Sequence, residues 1–433
     1  MTARKLKTDL RAMLSHGERP VHVHNAFRFP ARLHHRVSRE IITAYTGPSS
    51  VICDPFTGSG TNQIEAAAAG RSSIGFDVDP LSIFITKTKL SINKRNAKRL
   101  GFFYATLEKR ITQYERTARE YERLAFRDLG DRRFKSELQD IDGDALPTFE
   151  RWFRKYVIID LAHIKAAIQY IDDESAVKAL GMLAFASIIR NCSKADPVPV
   201  SGLEYTKRMR LLDAEGRIIN PFEQFRRKLK AITNQALEFA ELRHTGDDHR
   251  VYQRDASLAW HLHRDVDLVF CSPPYLNAVE YSRRHKLEMY WLDLIESDQE
   301  FRKLARRYIG RRSASPAAIE GYAPESTLVQ RLIKRVERSD PGRARALTLY
   351  CQKLQQFLGE ARSGLKRRGK CIVVIGDNRA AGVLLPLHKV VRELAPDYRH
   401  VETFSYRLKN RYMTYSRHNG ASIDREHVVI LEK

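Results

Sequence analysis

The chain has 433 residues, 43% hydrophobic and 29% charged, which is room for one large domain or two to three smaller ones with a well-solvated surface. Lys and Arg number 75 against 52 Asp and Glu. The resulting charge of +23 favours a polyanionic partner, because neutralising phosphates releases condensed counterions. No apolar run is long enough for a membrane-spanning helix, and the basic residues 1–20 lack the apolar stretch of a secretory leader. The five cysteines are scattered without a Cys-x-x-Cys pair, which argues against a zinc site or disulfide framework and for a reducing cytoplasm.

The first predicted strand is Val51-Ile52-Cys53-Asp54, a short apolar run that ends in an acid. A Gly-rich turn follows, then an Ala-rich helix over 62–70 with Gly70 as its stop, then a second strand over 73–77. Strand, turn, helix and strand make one βαβ unit. The stretch 96–247 is dense in Lys, Arg and Glu and reads as helical, with segments at 110–129, 149–171 and 175–189 and a loop at 193–202. Strand patterning returns near Val251. The runs VDLVFC (266–271) and CIVVI (371–375) suit buried strands, and 426–431 suits a last one. A basic, partly loose insertion is expected over about 296–345. No internal repeat is visible.

Two motifs carry chemistry. Asp54-Pro55-Phe56-Thr57-Gly58-Ser59-Gly60-Thr61 follows the first strand, where small residues let the backbone approach a ligand and the next helix offers free N–H groups. Asp77 ends the next strand, where a carboxylate can take two ribose hydroxyls. No GxxxxGK[ST] pattern points to a nucleoside triphosphate. The second motif, Ser272-Pro273-Pro274-Tyr275, lies at the carboxyl end of VDLVFC, where α/β folds bind ligands. Its prolines stiffen the chain and leave the preceding carbonyls as free acceptors. An exocyclic base amine is a poor nucleophile, because its lone pair is delocalised into the ring. Acceptors on its two hydrogens free that pair and stabilise the charge that develops on methylation. Tyr275 offers a flat face to a flipped base.

DPFTGSGT resembles the S-adenosylmethionine loop of amino-methylating DNA methyltransferases, and SPPY resembles their catalytic tetrapeptide. The resemblance covers about 20–95 and 250–433. It implies a Rossmann-like α/β class I methyltransferase fold in which those two segments form the catalytic domain and 96–249 is a long helical insertion and the candidate DNA-recognition region. It implies S-adenosyl-L-methionine as cofactor, bound by Phe29, Pro30, Asp54, Phe56, Gly58, Ser59, Gly60, Thr61, Asp77 and Asp255. Phe29 and Pro30 belong to the segment that packs on the methionine end, and Asp255 sits where the family has an acid near the adenine amine. Catalysis falls to Ser272, Pro273, Pro274 and Tyr275, with Asn277 and Tyr281 lining the base pocket. The Ser form of the tetrapeptide implies N4 of cytosine ahead of N6 of adenine. The departure from the family pattern is the long interval between Asp77 and Asp255.

The expected partner is double-stranded DNA, with a cognate restriction nuclease as a possible companion, no membrane and no metal. Positive clusters at Arg226-Arg227-Lys228, Arg302-Lys303, Arg306-Arg307 and Arg311-Arg312 suit phosphates. Cys271 reads as a buried strand residue; an enzyme attacking ring carbon would want a Pro-Cys pair, and the chain has none. The competing readings are an RNA base methyltransferase, a glutamine methyltransferase and a DNA-binding module without catalysis.

Overall fold

The computed structural model describes residues 22–138, 145–172, 175–198, 202–243, 247–258, 265–276, 280–408 and 424–433. The basic leader at 1–20 and Asn277 lie outside them. Seven strands form the central sheet: β1 (Val51–Asp54), β2 (Ser72–Asp77), β3 (His249–Gln253), β4 (Val266–Cys271), β5 (Leu365–Gly376), β6 (Arg399–Arg407) and β7 (Arg425–Glu432). Their order is β3-β2-β1-β4-β5-β7-β6. All pair in parallel through β5, and β7 runs antiparallel between β5 and β6. The order reverses between β1 and β4, which opens a crevice at their carboxyl ends. This is a Rossmann-like α/β fold.

The apolar runs are continuous because both sheet faces are covered. Along β5, Cys371, Val373 and Ile375 join one core and Ile372 and Val374 the other. The second face packs on α1 (His35–Tyr45) through Val37, Ile41 and Ile42. Around the first βαβ unit stand α2 (Thr61–Ala68) and α3 (Pro80–Ser91). The chain between β2 and β3 is helical among the described residues, and its largest members are α4 (Lys155–Tyr170), α5 (Ser175–Cys192) and α6 (Pro221–Leu242). These share one apolar core that also takes in Leu81 and Ile85 of α3, so the helical body is rooted on the sheet's own helices.

Two long helices expected from periodicity are each broken. The segment expected at 110–129 divides into Leu100–Ile111 and Ala118–Phe126, because Thr117 caps the second helix by accepting from the Glu120 N–H. The segment expected at 149–171 divides after Trp152. There the Asp128 carboxylate, far away in sequence, accepts from the N–H groups of Lys155 (2.7 Å) and Tyr156 (3.2 Å) and so starts α4.

The insertion expected to be partly loose at about 296–345 is ordered. It forms helices Asp298–Arg307 and α7 (Thr327–Glu337) and runs into α8 (Pro341–Gly364). Val329, Leu332 and Val336 repeat at helical spacing and bury against α8, which a reading of its charge alone hides. Helix α9 (Leu387–Glu393) completes that face. Strand β6 and helix α1 carry no signal picked up in the sequence. The edge strand β6 buries only alternate residues such as Phe404 and Tyr406.

Candidate active site

A cleft of about 940 Å3, counted out to its open mouth, lies at the carboxyl ends of β1, β2 and β4. Ten residues expected at the site line it: Phe29, Asp54, Phe56, Gly58, Ser59, Thr61, Asp77, Asp255, Ser272 and Pro274. Tyr281 joins them. Pro30, Gly60, Pro273 and Tyr275 are not among the lining residues.

The loop after β1 is held by its own short-range bonds. Asp54 is buried; one carboxylate oxygen accepts from the Phe56 N–H (3.0 Å) and the other from Asn62 Nδ2 (2.9 Å). Burial pushes the Asp54 carboxyl up to about 7. Asp77 accepts from the Gly58 N–H (2.8 Å) and the Asp79 N–H (2.9 Å), which ties the loop to the end of β2. Burial, then the nearby Asp79 charge, raises the Asp77 carboxyl well above the usual range.

Gly58 has φ +52°, and a Cβ there would stand 3.3 Å from the Phe29 ring. That ring in turn stacks on Tyr281, with centroids 5.8 Å apart. Gly60 caps α2 at φ +80°, and a Cβ there would meet Thr86 of α3 at 2.8 Å. Gly60 therefore acts through close helix packing rather than by lining the cleft. Behind the loop, the buried Lys89 donates to the Ser59 carbonyl at 2.9 Å.

Asp255 stands across the cleft. It accepts from the Ser257 N–H (2.9 Å) and hydroxyl (2.6 Å) and pairs with Lys353 of α8 at 3.1 Å. These partners outweigh burial and hold its carboxyl below the usual range. Lys353 was missed in the sequence, since nothing local marks one lysine of an amphipathic helix. Tyr308 and Ile309 also line the cleft and were missed, hidden inside a run read only for its charge.

The tetrapeptide is supported from a distance. Tyr350 of α8 donates to the Pro274 carbonyl at 3.0 Å. The Tyr275 hydroxyl donates to Glu426 of β7 at 2.7 Å. Asn378, beyond β5, donates to the Leu276 carbonyl. Gly310, at φ +80°, brings the loop after Asp298–Arg307 against the backbone, where a Cβ would lie 3.1 Å from the Tyr275 carbonyl oxygen. Cys271 is fully buried in β4 and burial holds its thiol well up, so it is no nucleophile.

The expected phosphate clusters separate. Arg226 is engaged by Glu108 and Glu115, each at 2.7 Å, and Lys228 donates to the Asn25 carbonyl, so those two are held within the protein while Arg227 is exposed. Arg307 lines the cleft, and Arg311-Arg312 adjoin the tetrapeptide through Gly310. The described ends of the 193–202 loop also approach the site. Arg190 donates to the Gly202 carbonyl at 2.8 Å, and Gly202 faces Arg283, two residues beyond Tyr281. Elsewhere, Asp377, His388 and His427 gather with ligand atoms within 4.8 Å. Their two imidazoles stack face to face at 3.9 Å, so the ring lone pairs run side by side rather than converge.

A family model described as DNA methylase (N6_N4_Mtase) matches residues 11–87. The type II methyltransferase M.MvaI of Kocuria varians is 24% identical over 416 residues, spanning 90% of this chain and 85% of its own length. Residues 11–87 thus match the N6/N4 amino-methyltransferase family, and this relative supports that family over most of the chain. Type II methyltransferase M.MjaII of Methanocaldococcus jannaschii is 23% identical over 363 residues, 68% of this chain and 67% of its own. Among solved structures, the rRNA methyltransferase aviRa from Streptomyces viridochromogenes aligns over 94% of this chain and 88% of its own at 9% identity and a TM-score of 0.30.

This DNA methyltransferase takes its methyl group from S-adenosylmethionine, and the cleft suits that donor. Among the described residues, the buried hydroxyls of Ser59, Thr61 and Ser82 find no partner, and all three residues line the cleft. Buried orphan hydroxyls are costly unless a ligand satisfies them. Among the described residues, no helix is long and apolar enough to cross a membrane.

Proposed function

We propose that the protein methylates N4 of cytosine in double-stranded DNA at a specific sequence, after flipping the base from the duplex. The observation that carries this reading is that Ser272 and Pro274 share one cleft with Asp77, Asp255 and the Gly58 loop. The donor and the amine-polarising tetrapeptide thus face the same space. Asp77 is assigned to the ribose hydroxyls, Asp255 to the adenine end, and Phe29 with Asp54, Phe56, Gly58, Ser59 and Thr61 to the remainder. Pro30 and Gly60 shape this wall from behind. Bound there, S-adenosylmethionine supplies an electrophilic methyl group.

The chain's own part is to orient and polarise the amine. Tyr350 occupies one lone pair of the Pro274 carbonyl, and the amine hydrogens are assigned to Ser272 and the Pro273 carbonyl. Removing electron density from those hydrogens frees the nitrogen lone pair and stabilises the transferring state. Tyr275 stacks on the flipped base. The arginines of 306–312 and the ends of the 193–202 loop flank the mouth and are assigned to the DNA backbone and bases. Residues 20–95 and 250–433 act as the catalytic domain, and 96–249 as the DNA-reading insertion. The type II relatives support a place beside a cognate restriction nuclease in the cytoplasm.

The test is mass spectrometry of nucleosides from DNA treated with the purified protein and labelled S-adenosylmethionine. N4-methylcytosine is expected. N6-methyladenine would keep the class and overturn the base. Label in RNA alone would overturn the DNA reading.

A further inference from the structure

Tyr275 is the one member of the tetrapeptide whose side chain reaches right across the sheet. Its hydroxyl donates to Oε1 of Glu426 on β7, at 2.7 Å. The other oxygen, Oε2, accepts from the Tyr406 hydroxyl of β6. Strand register explains how the three meet. Glu426 is the partner of Gly376 on β5 and of Tyr406 on β6, and cross-strand partners share a face. Gly376 contributes no side chain, so nothing from β5 stands between Glu426 and the tetrapeptide after β4.

We propose that Glu426 is the positioning residue for Tyr275, fixing where its ring lies for the flipped base, with Tyr406 anchoring the carboxylate from the far side. The inference rests on the reading of Tyr275 as the base-stacking residue. A tyrosine ring tied only at Cβ can swing about χ1; bonding its hydroxyl, which lies on the ring's long axis, fixes the direction of that axis. Both phenols donate, so the acceptor must offer two oxygens and no hydrogen, which an ionised carboxylate does and an amide does not. The bonds to the phenols favour that charged form, while burial opposes it and leaves the carboxyl raised. The neighbouring titratable group on β7, His427, is directed to Asp377 instead.

The test uses the full chain with saturating DNA and S-adenosylmethionine, measured as a single-turnover methylation rate. Glu426→Ala is expected to slow the step about tenfold or more, with cofactor and DNA affinities within twofold and the melting temperature little changed. Glu426→Gln keeps one acceptor and should fall between. Tyr275→Phe keeps the ring but loses the bond, so it should match Glu426→Ala. The double variant should be no slower than either single, since both remove one interaction. A wild-type rate in Glu426→Ala, or losses that multiply in the double variant, would overturn the proposal. So would a fall in melting temperature that accounts for the loss, with Tyr275→Phe unaffected. If the unaltered protein labels adenine, the proposed base fails while this inference stands; if it labels no DNA at all, the function reading fails first.

Discussion

The two walls of the cleft are built on different plans. On the cofactor wall, Asp54 is satisfied by Phe56 and Asn62 and Asp77 by Gly58 and Asp79, no bond spanning more than 19 residues. On the tetrapeptide wall, the supports come from Tyr350, Asn378 and Glu426, 76 to 151 residues away. A wall made of local bonds is a motif; a wall made of distant bonds is a property of the whole sheet. The first should tolerate changes elsewhere in the chain, and the second should register them.

The contrast can be broken or sharpened by substitution. The largest effect is expected from Ser272→Ala, which removes a polarising group from the reacting amine and should cut the single-turnover rate roughly a hundredfold. Cofactor affinity, measured by calorimetry, should stay close to normal. Asp77→Ala belongs to the other wall and should reverse the pattern, weakening cofactor binding about tenfold before it slows methylation. Normal cofactor affinity in that variant would break the assignment of the β2 end.

The same wall predicts a pH dependence. The Asp77 carboxyl is raised, so it is protonated at mildly acidic pH and becomes the stronger, charged acceptor as pH rises. Cofactor affinity should therefore tighten from pH 6 to pH 8, and Asp77→Asn should flatten the curve. Stability of the free protein runs the other way. A carboxyl raised to about 7, as for Asp54, against an unfolded value of about 3.9 binds more protons when folded over that interval. Its contribution is full below about 4 and is lost as pH rises through about 7, so urea midpoints should fall over that range.

Smaller effects test the remote supports. Tyr350→Phe removes one neutral hydrogen bond to the Pro274 carbonyl, a net loss of about 0.5–1.5 kcal/mol. That should slow methyl transfer about threefold to tenfold without touching cofactor affinity. Lys353→Met leaves Asp255 its two Ser257 bonds and should weaken cofactor binding only about twofold to fivefold. A larger loss there than in Asp77→Ala would show that the cofactor site leans more on its distant support than on its local one.

The same division decides what could be read in the sequence. Val51–Asp54, the Gly58 loop and Asp77 were legible because their geometry is written in one short stretch, and Ser272 to Tyr275 because they follow a strongly apolar strand. Lys353 and Glu426 were not, since each earns its place only through strand order and helix packing. The interrupted helices failed for a related reason: Asp128, which starts α4, sits 27 residues before it. Charge misled at 296–345, where a polar face concealed the buried Val329, Leu332 and Val336.

The strand order also has a consequence for how the chain acquires its shape. About 170 residues separate Asp77 from His249, so β2 waits roughly 10–30 s of synthesis for its edge partner β3. Strand β7 is made after both β5 and β6 and must enter between them. Until it does, those neighbours present unpaired edges, and Glu426 is not yet there to receive Tyr275. The corner that holds the tetrapeptide is thus among the last parts of the fold to set, well after the Gly58 loop has formed.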